Sequence, residues 1–218
     1  MVPQEKRVVL DYELKEQKFY SKVKRIIDIC CSLSAIVIFS FLFLLIAMVI
    51  KIEDKNGSVI FKQTRVGKDG RLFNMYKFRS MVSNAEDLRE SLLQYNEVSG
   101  PVFKIRKDPR VTKVGKFLRK TSLDEFPQLI NVLRGEMSLV GPRPPLPIEV
   151  EKYTSYEEQR LSVVPGLTCY WQVSGRSNMD FHEWVDLDLK YIRERSTLVD
   201  IKLICKTVLV LFGSKNAY

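Results

Sequence analysis

The chain has 218 residues, one domain's length with room for a small appendage, and 45% apolar content, enough for a packed core, which excludes a disordered chain. Its 35 Lys and Arg outnumber 26 Asp and Glu, and the resulting +9 suits an anionic partner: nucleic acid, an anionic membrane face or a phosphorylated substrate. Four cysteines without a CxxC pattern and one histidine, His182, exclude a disulfide scaffold and argue against a His-rich zinc site, so a reducing, cytosol-facing setting fits.

The first predicted element is apolar. Residues 29–50 carry no charge, Gly or Pro, and as a helix they would extend about 33 Å, close to the hydrocarbon thickness of a bilayer. The run starts too late, and is too long, for a secretory signal. Basic residues flank both sides: Lys6, Arg7, Lys15, Lys18, Lys22, Lys24 and Arg25 before it, Lys51, Lys55, Lys62, Arg65 and Lys68 after it. Positive charge marks the cytoplasmic side, so a full span should be asymmetric, whereas a helix that dips and returns keeps both flanks in the cytoplasm. Ser40, near the middle, could cover backbone groups freed by a break. Charge symmetry alone leaves span and dip both open.

Beyond the run, residues 58–63 and 72–78 read as strands, joined by the turn-rich Val66-Gly67-Lys68-Asp69-Gly70 into a hairpin. A helix is predicted over 83–95 from a Ser83/Glu86 capping box with Leu88, Leu92 and Leu93 on one side. Residues 100–112 form a basic loop. Phe126, Leu129, Ile130 and Leu133 set a helix that Gly135 stops, and Gly141-Pro142-Arg143-Pro144-Pro145 is a stiff connector. Helices follow over 153–161, around Phe181, Trp184, Val185, Leu189 and Ile192, and over 198–212. The last is apolar with Lys202 and Lys206 on one face; it fits a membrane interface and a core helix with snorkelling lysines equally well. The fold class is therefore α+β, mostly helical, with a small β-hairpin and amphipathic helices.

The chemistry concentrates in Thr121-Ser122-Leu123-Asp124-Glu125. Taken alone it is a capping box, Ser122 to Glu125, opening the next helix. Its surroundings say more. Lys104, Arg106, Lys107, Arg110, Lys113, Lys116, Arg119 and Lys120 crowd the approach, and Arg143 is held between prolines, suited to a bidentate phosphate contact. Two carboxylates among arginines describe a site for a diphosphate and its Mg²⁺, one carboxylate as nucleophile and the other as metal ligand. Asp188 falls four residues from both Trp184 and Ile192, on the apolar face of its helix; a structural ion pair and a substrate or metal role both remain open. Asp200 could simply begin the last helix, and Arg176 could be a surface turn. A membrane-tethered adaptor without catalysis is the alternative; it would keep the apolar run and the basic loops but needs no acidic pair among arginines, and no helix-turn-helix, RRM or zinc pattern supports a nucleic-acid partner.

From about Lys24 onward the sequence resembles the bacterial sugar transferases, the monotopic phosphoglycosyl transferases. The carriers are Lys24-Arg25-Ile26-Ile27-Asp28, Tyr76-Lys77-Phe78-Arg79-Ser80-Met81, Asp108-Pro109-Arg110-Val111-Thr112, Arg119-Lys120-Thr121-Ser122-Leu123-Asp124-Glu125-Phe126-Pro127-Gln128-Leu129, Gly141-Pro142-Arg143-Pro144 and Pro165-Gly166-Leu167-Thr168 with Gly175-Arg176. Several long blocks in one order are far more specific than a single short motif. The stretch 100–104 and the ending Asn216-Ala217-Tyr218 look most like the hexose-1-phosphate branch, in its short catalytic-core form.

The resemblance implies transfer of a sugar-1-phosphate, glucose or galactose first, from a UDP-sugar to undecaprenyl phosphate with release of UMP, the opening membrane step of capsule or exopolysaccharide assembly. It implies Asp124 as covalent nucleophile, Glu125 as its Mg²⁺-binding neighbour, Arg119 and Arg143 stabilising phosphate charge, Arg176 on the nucleotide-sugar, and Lys77, Asp188 and Asp200 as further substrate-binding candidates. Mg²⁺, held by Asp124 and Glu125, is the implied cofactor. The implied organisation is a polar segment over 1–22, a re-entrant membrane helix over 23–52 and a catalytic domain over 53–218 on the cytoplasmic face of the inner membrane, against anionic lipid. The apolar helices are compatible with a homodimer. The family's helix commonly breaks at Ser-Pro; here the pair is Ser40-Phe41, so a dip must rest on Ser40, on Arg25 and Asp28 anchoring at the interface, and on docking to the rest of the chain.

Overall fold

The structure, a computed structural model, describes residues 18–88, 90–97, 100–103, 105, 107–174 and 179–213. In chain order its elements are α1 (Lys18–Ile38), α2 (Ser40–Glu53), β1 (Ile60–Val66), β2 (Leu72–Phe78), α3 (Lys113–Lys120), α4 (Gln128–Arg134) and β3 (Ser138–Val140). They continue with α5 (Pro147–Val150), α6 (Ser155–Glu158), β4 (Gly166–Thr168), α7 (Tyr170–Val173), α8 (Phe181–Glu194) and α9 (Thr197–Gly213). The architecture is the mostly helical α+β arrangement predicted, with the antiparallel hairpin in place.

The apolar run breaks without a proline. α1 and α2 meet at Phe39 and bend by 62°. Phe39 leaves the helical well (φ −95°, ψ 10°), yet its N–H still reaches the Ala35 carbonyl at 2.9 Å. Ser40 Oγ donates to the Val37 carbonyl at 2.8 Å, the local cover expected of it. No single helix among the described residues is long and apolar enough to cross a membrane; the bent pair meets that test only together. Its outer surface is apolar: Ile38 is 72% and Phe41 70% exposed at the bend, and Leu44, Met48 and Ile52 are exposed along α2.

Both arms are held by protein rather than left to an interface. On α1, Arg25 donates to the Val132 and Leu133 carbonyls (2.5 and 2.6 Å), covering the open C-terminal end of α4. Asp28 accepts from Ser138 Oγ and the Leu139 N–H. Lys24 donates to the Val140 carbonyl and to Asp200 at 2.8 Å. On α2, Ile46 and Ile50 are buried in one cluster with Phe78 and Leu118.

β1 pairs with β2 from Ile60 opposite Phe78 to Val66 opposite Leu72, extending beyond the predicted strand. α4 lies along β2 through Asn131, which is fully buried: its Nδ2 donates to the Asn74 carbonyl at 2.7 Å and its Oδ1 accepts the Tyr76 N–H at 3.0 Å. That amide satisfies backbone groups β2 would otherwise leave open at its edge. Gly135 ends α4 at φ 79°, as predicted. A second, unpredicted sheet pairs β3 with β4 in parallel. There a Cβ on Gly166 would stand 2.0 Å from the Gly141 nitrogen, so only glycine lets the two segments meet. The largest core gathers on α8 and α9, with Val185, Leu189, Tyr191 and Leu203 buried and Trp171 stacked on Trp184 at 4.8 Å. α9 buries Leu203 and leaves Leu198, Ile201, Val208 and Leu209 exposed.

Two predicted helices are corrected. Residues 83–88 are turns and Glu90–Tyr95 is a 3₁₀ segment, because Leu88 and Leu93 stay exposed and no packed face supports a helix. The helix over 153–161 shrinks to α6 followed by the 3₁₀ turn Gln159–Ser162. α3, read as part of a basic approach, is a helix capped by Thr112, whose Oγ1 accepts the Gly115 N–H at 2.9 Å.

Candidate active site

Four pieces of chain converge on the Asp124-Glu125 pair. α3 ends at Thr121, and Ser122 turns the chain in the left-handed region (φ 55°, ψ 17°), a conformation that costs a non-glycine residue about 1–2 kcal/mol. A single 3₁₀ turn, Leu123–Glu125, then presents both carboxylates before Pro127 starts α4. The predicted capping box does not form: Ser122 makes no side-chain cap bond. Glu125 is drawn instead to cations. Its Oε1 accepts from Lys77 Nζ at 2.7 Å and lies 3.7 Å from Arg143 Nη1. A charge-assisted bond to a largely buried ammonium outweighs a cap at a short helix.

Asp124 is 7% exposed. Burial pushes its carboxyl up from the usual range to about 6; Lys77 pulls it back down, Glu125 pushes it further up, and Arg119 pulls it down. Burial lowers the Lys77 ammonium, with the charge of Glu125 opposing. Lys77 comes from the end of β2, and Arg119, from the last turn of α3, is oriented by a 2.9 Å bond from its Nε to Ser80 Oγ. The structure thus unites Asp124, Glu125, Lys77, Arg119 and Arg143 from three separate motifs.

Arg143 stands on a connector without regular structure whose carbonyls are individually held. Pro142 O accepts from the Gly166 N–H at 2.9 Å, Pro144 O from Arg65 Nη1 at 2.9 Å, and Pro145 O from the Val66 N–H at 3.0 Å. Arg65 is buried, and burial lowers its guanidinium to about 10. Sequence reasoning saw Arg65 only as a flanking charge; its place inside the site's frame carries no short-range signal, since Pro144 is 79 residues away.

The other candidates lie elsewhere. Asp188 is fully buried and its Oδ2 is bound by Arg160 at 2.7 and 2.9 Å, so it presents no surface to a substrate; the ion-pair reading is the one the geometry supports. Asp200, 3% exposed, is occupied by Lys24, Tyr20 and Tyr191 and ties α1 to α9. Arg176 lies outside the described residues, as do Lys104 and Arg106.

The turn also sits against the bent helix pair. Phe126, two residues beyond Asp124, makes edge contacts with Phe39 at 5.6 Å and Phe43 at 5.9 Å, and Leu123 packs into the same cluster. The turn that carries the carboxylates therefore lies beside the break, where Ile38 and Phe41 are exposed. For a divalent cation, the described residues hold no group of three or more His, Cys, Asp or Glu. The adjacent Asp124 and Glu125 fit Mg²⁺, which is commonly held by one or two carboxylates together with substrate phosphate oxygens.

A family model described as bacterial sugar transferase matches residues 19–214. Galactosyl transferase CpsE of Streptococcus agalactiae serotype III is 47% identical over 209 residues, covering 94% of this chain and 46% of that protein. The UDP-glucose:undecaprenyl-phosphate glucose-1-phosphate transferase of Escherichia coli K12 is 41% identical, covering 90% of this chain and 41% of that protein. Exopolysaccharide production protein ExoY of Rhizobium meliloti is 40% identical, covering 89% of this chain and 88% of that protein. The chain spans less than half the length of the first two and most of the third.

Proposed function

The chain belongs to the bacterial sugar transferases, and from that membership we propose that it moves a hexose-1-phosphate from a UDP-sugar to undecaprenyl phosphate and releases UMP. The observation that carries this reading is the buried Asp124 beside Glu125, ringed by Lys77, Arg119 and Arg143 and packed against an exposed apolar helix break. A soluble anionic donor and a lipid-borne anionic acceptor both need such a place.

In the first step a carboxylate oxygen of Asp124 attacks the β-phosphorus of the UDP-sugar. The bond from that phosphorus to the oxygen bridging to the α-phosphate breaks, and UMP leaves with the electron pair. In the second step a phosphate oxygen of undecaprenyl phosphate attacks the same phosphorus and the aspartyl bond breaks, returning the carboxylate and giving the sugar diphospholipid. Arg119 and Arg143 stabilise the charge on the transferring phosphoryl group, and Lys77 holds Glu125 in place. Mg²⁺, held by Asp124 and Glu125, would neutralise diphosphate charge. The relatives' names divide between galactose and glucose, which supports a hexose donor and a role in capsule or exopolysaccharide assembly.

In this reading α1 and α2 form a re-entrant element that dips from the cytoplasmic face and returns, and the exposed face of α9 lies in the headgroup layer. The basic flanks, the 62° bend and the docking of both arms on one body support it. Single cysteines introduced at Lys22 and Lys55 should therefore be labelled from the same side of sealed vesicles. Labelling from opposite sides would refute the dip.

The activity is tested by UMP release from purified protein in detergent, with UDP-glucose, UDP-galactose and UDP-N-acetylated sugars, with and without undecaprenyl phosphate and Mg²⁺. Release that depends on lipid and metal, with a hexose donor preferred, is the expected result. Folded protein that releases UMP from none of these donors overturns the proposal.

A further inference from the structure

We propose that Arg160, seated on Asp188, is the positioning residue that sets where Arg143 stands. The inference rests on the sugar-phosphate transfer proposed above and concerns a residue that none of the sequence motifs singles out. Three carbonyls of the connector around Arg143 are held by Gly166, Arg65 and Val66. The carbonyl of Arg143 itself accepts from Arg160 Nη2 at 3.3 Å.

Every nitrogen of the Arg160 guanidinium is committed. Nε and Nη2 meet Asp188 Oδ2 at 2.9 and 2.7 Å, Nη1 donates to the Tyr153 hydroxyl at 2.7 Å, and Nη2 also reaches Arg143. Arg160 is 6% exposed and Asp188 is fully buried, so neither side chain has a surface to offer a substrate. Their influence on transfer must pass through what they hold.

A buried ion pair is a weak source of stability, because desolvating both charges offsets most of their attraction. This one does something an apolar pair could not. A planar guanidinium carries donors in fixed directions, so one group joins α8 (Asp188), the segment before α6 (Tyr153) and the connector (Arg143). With prolines on both sides of Arg143 and its own carbonyl fixed from below, the base of that side chain has little freedom, and the head is directed towards Glu125.

The test is a double-mutant cycle on UMP release and the second half-reaction, using the full-length chain. Arg160→Lys keeps the charge opposite Asp188 but loses the planar fork whose separate nitrogens reach Asp188, Tyr153 and Arg143 in fixed directions. Its kcat should fall by about tenfold or more, since a misplacement near 1 Å at a reacting group costs up to about a hundredfold. If Arg160 acts through Arg143, the same change in an Arg143→Lys background should cost little, because the two losses are not additive. Equal losses in both backgrounds, or wild-type kcat for Arg160→Lys alone, would overturn the inference. Tyr153→Phe removes one acceptor while leaving the ion pair, and serves if Arg160→Lys does not fold; a loss of about twofold to fivefold, again absent in the Arg143→Lys background, is expected. A wild-type chain that releases no UMP from any UDP-sugar overturns the underlying reading, and this inference falls with it.

Discussion

Asp124→Asn should lose at least about a thousandfold in UMP release, because an amide cannot form the phospho-enzyme and no other carboxylate takes its position. Residual turnover above a few per cent of wild type would remove Asp124 from the nucleophile's role. The pH behaviour supplies a second, independent check. Burial has raised the Asp124 carboxyl to about 6, and a nucleophile must be ionised, so kcat/KM should climb through pH 6 rather than through pH 4.

The same shift makes a stability claim, and its sign is opposite to that of an ordinary salt-bridged aspartate. The folded-state pKa lies above the unfolded value of 3.8, so the folded state prefers the protonated form. The stability that this preference contributes is fully present below about pH 4 and lost as pH rises through 6. At neutral pH ionised Asp124 then costs the fold on the order of 3 kcal/mol. Asp124→Asn removes that cost, so the inactive variant should melt higher than wild type at pH 7.5 and approach it below pH 4. An inactive variant that melts lower at neutral pH would mean that activity was lost through the fold instead. Such a cost to the fold is the kind of trade between stability and activity that the proposed role of Asp124 would entail.

How much of this was legible beforehand follows from the range of the interactions involved. Arg119, Asp124 and Glu125 sit within seven residues, so their neighbourhood could be read directly. The period of Phe181, Trp184, Val185, Leu189 and Ile192 fixed α8, and with it the expectation that Asp188 faces inward and needs a partner. The partner itself was out of reach: Arg160 lies 28 residues away, on a segment whose local pattern suggested a helix and not what its arginine meets. Arg65 and Pro144 pose the same difficulty over 79 residues. Short-range rules also failed where tertiary charge won. Ser122 and Glu125 have capping-box spacing, but Lys77, brought in from β2, takes the glutamate, and the serine adopts a left-handed turn. The 83–95 segment shows the converse, with helical spacing but Leu88 and Leu93 left exposed. The helix break at Phe39 needed no proline, because docking of both arms holds the angle that a proline would have imposed.

Arg143 is the cation whose replacement should separate charge from geometry. Its contact with Glu125, at 3.7 Å, is too long for a hydrogen bond, and its side chain is 36% exposed, so the planar fork is available to an incoming phosphate. Its own carbonyl and those of Pro142, Pro144 and Pro145 are each held by a hydrogen bond. Arg143→Lys keeps the positive charge on an equally long stem but replaces two parallel donors by a point ammonium. If the site needed only charge, the lysine variant would stay within about threefold of wild type. If it needs a bidentate hold on the transferring phosphoryl group, kcat should fall about a hundredfold and Arg143→Ala about a thousandfold, the range seen when one preorganised donor to a developing anion is removed. The loss should appear in kcat more than in KM for the UDP-sugar, because the charge the fork meets is greatest in the transition state. Guanidinium ion added to Arg143→Ala should restore part of the rate, while ammonium at the same ionic strength should not. Equal rescue by both ions would reduce Arg143 to a source of positive potential. The pinned connector would then have to be explained by the fold alone, since a bare charge does not need so tightly defined a base.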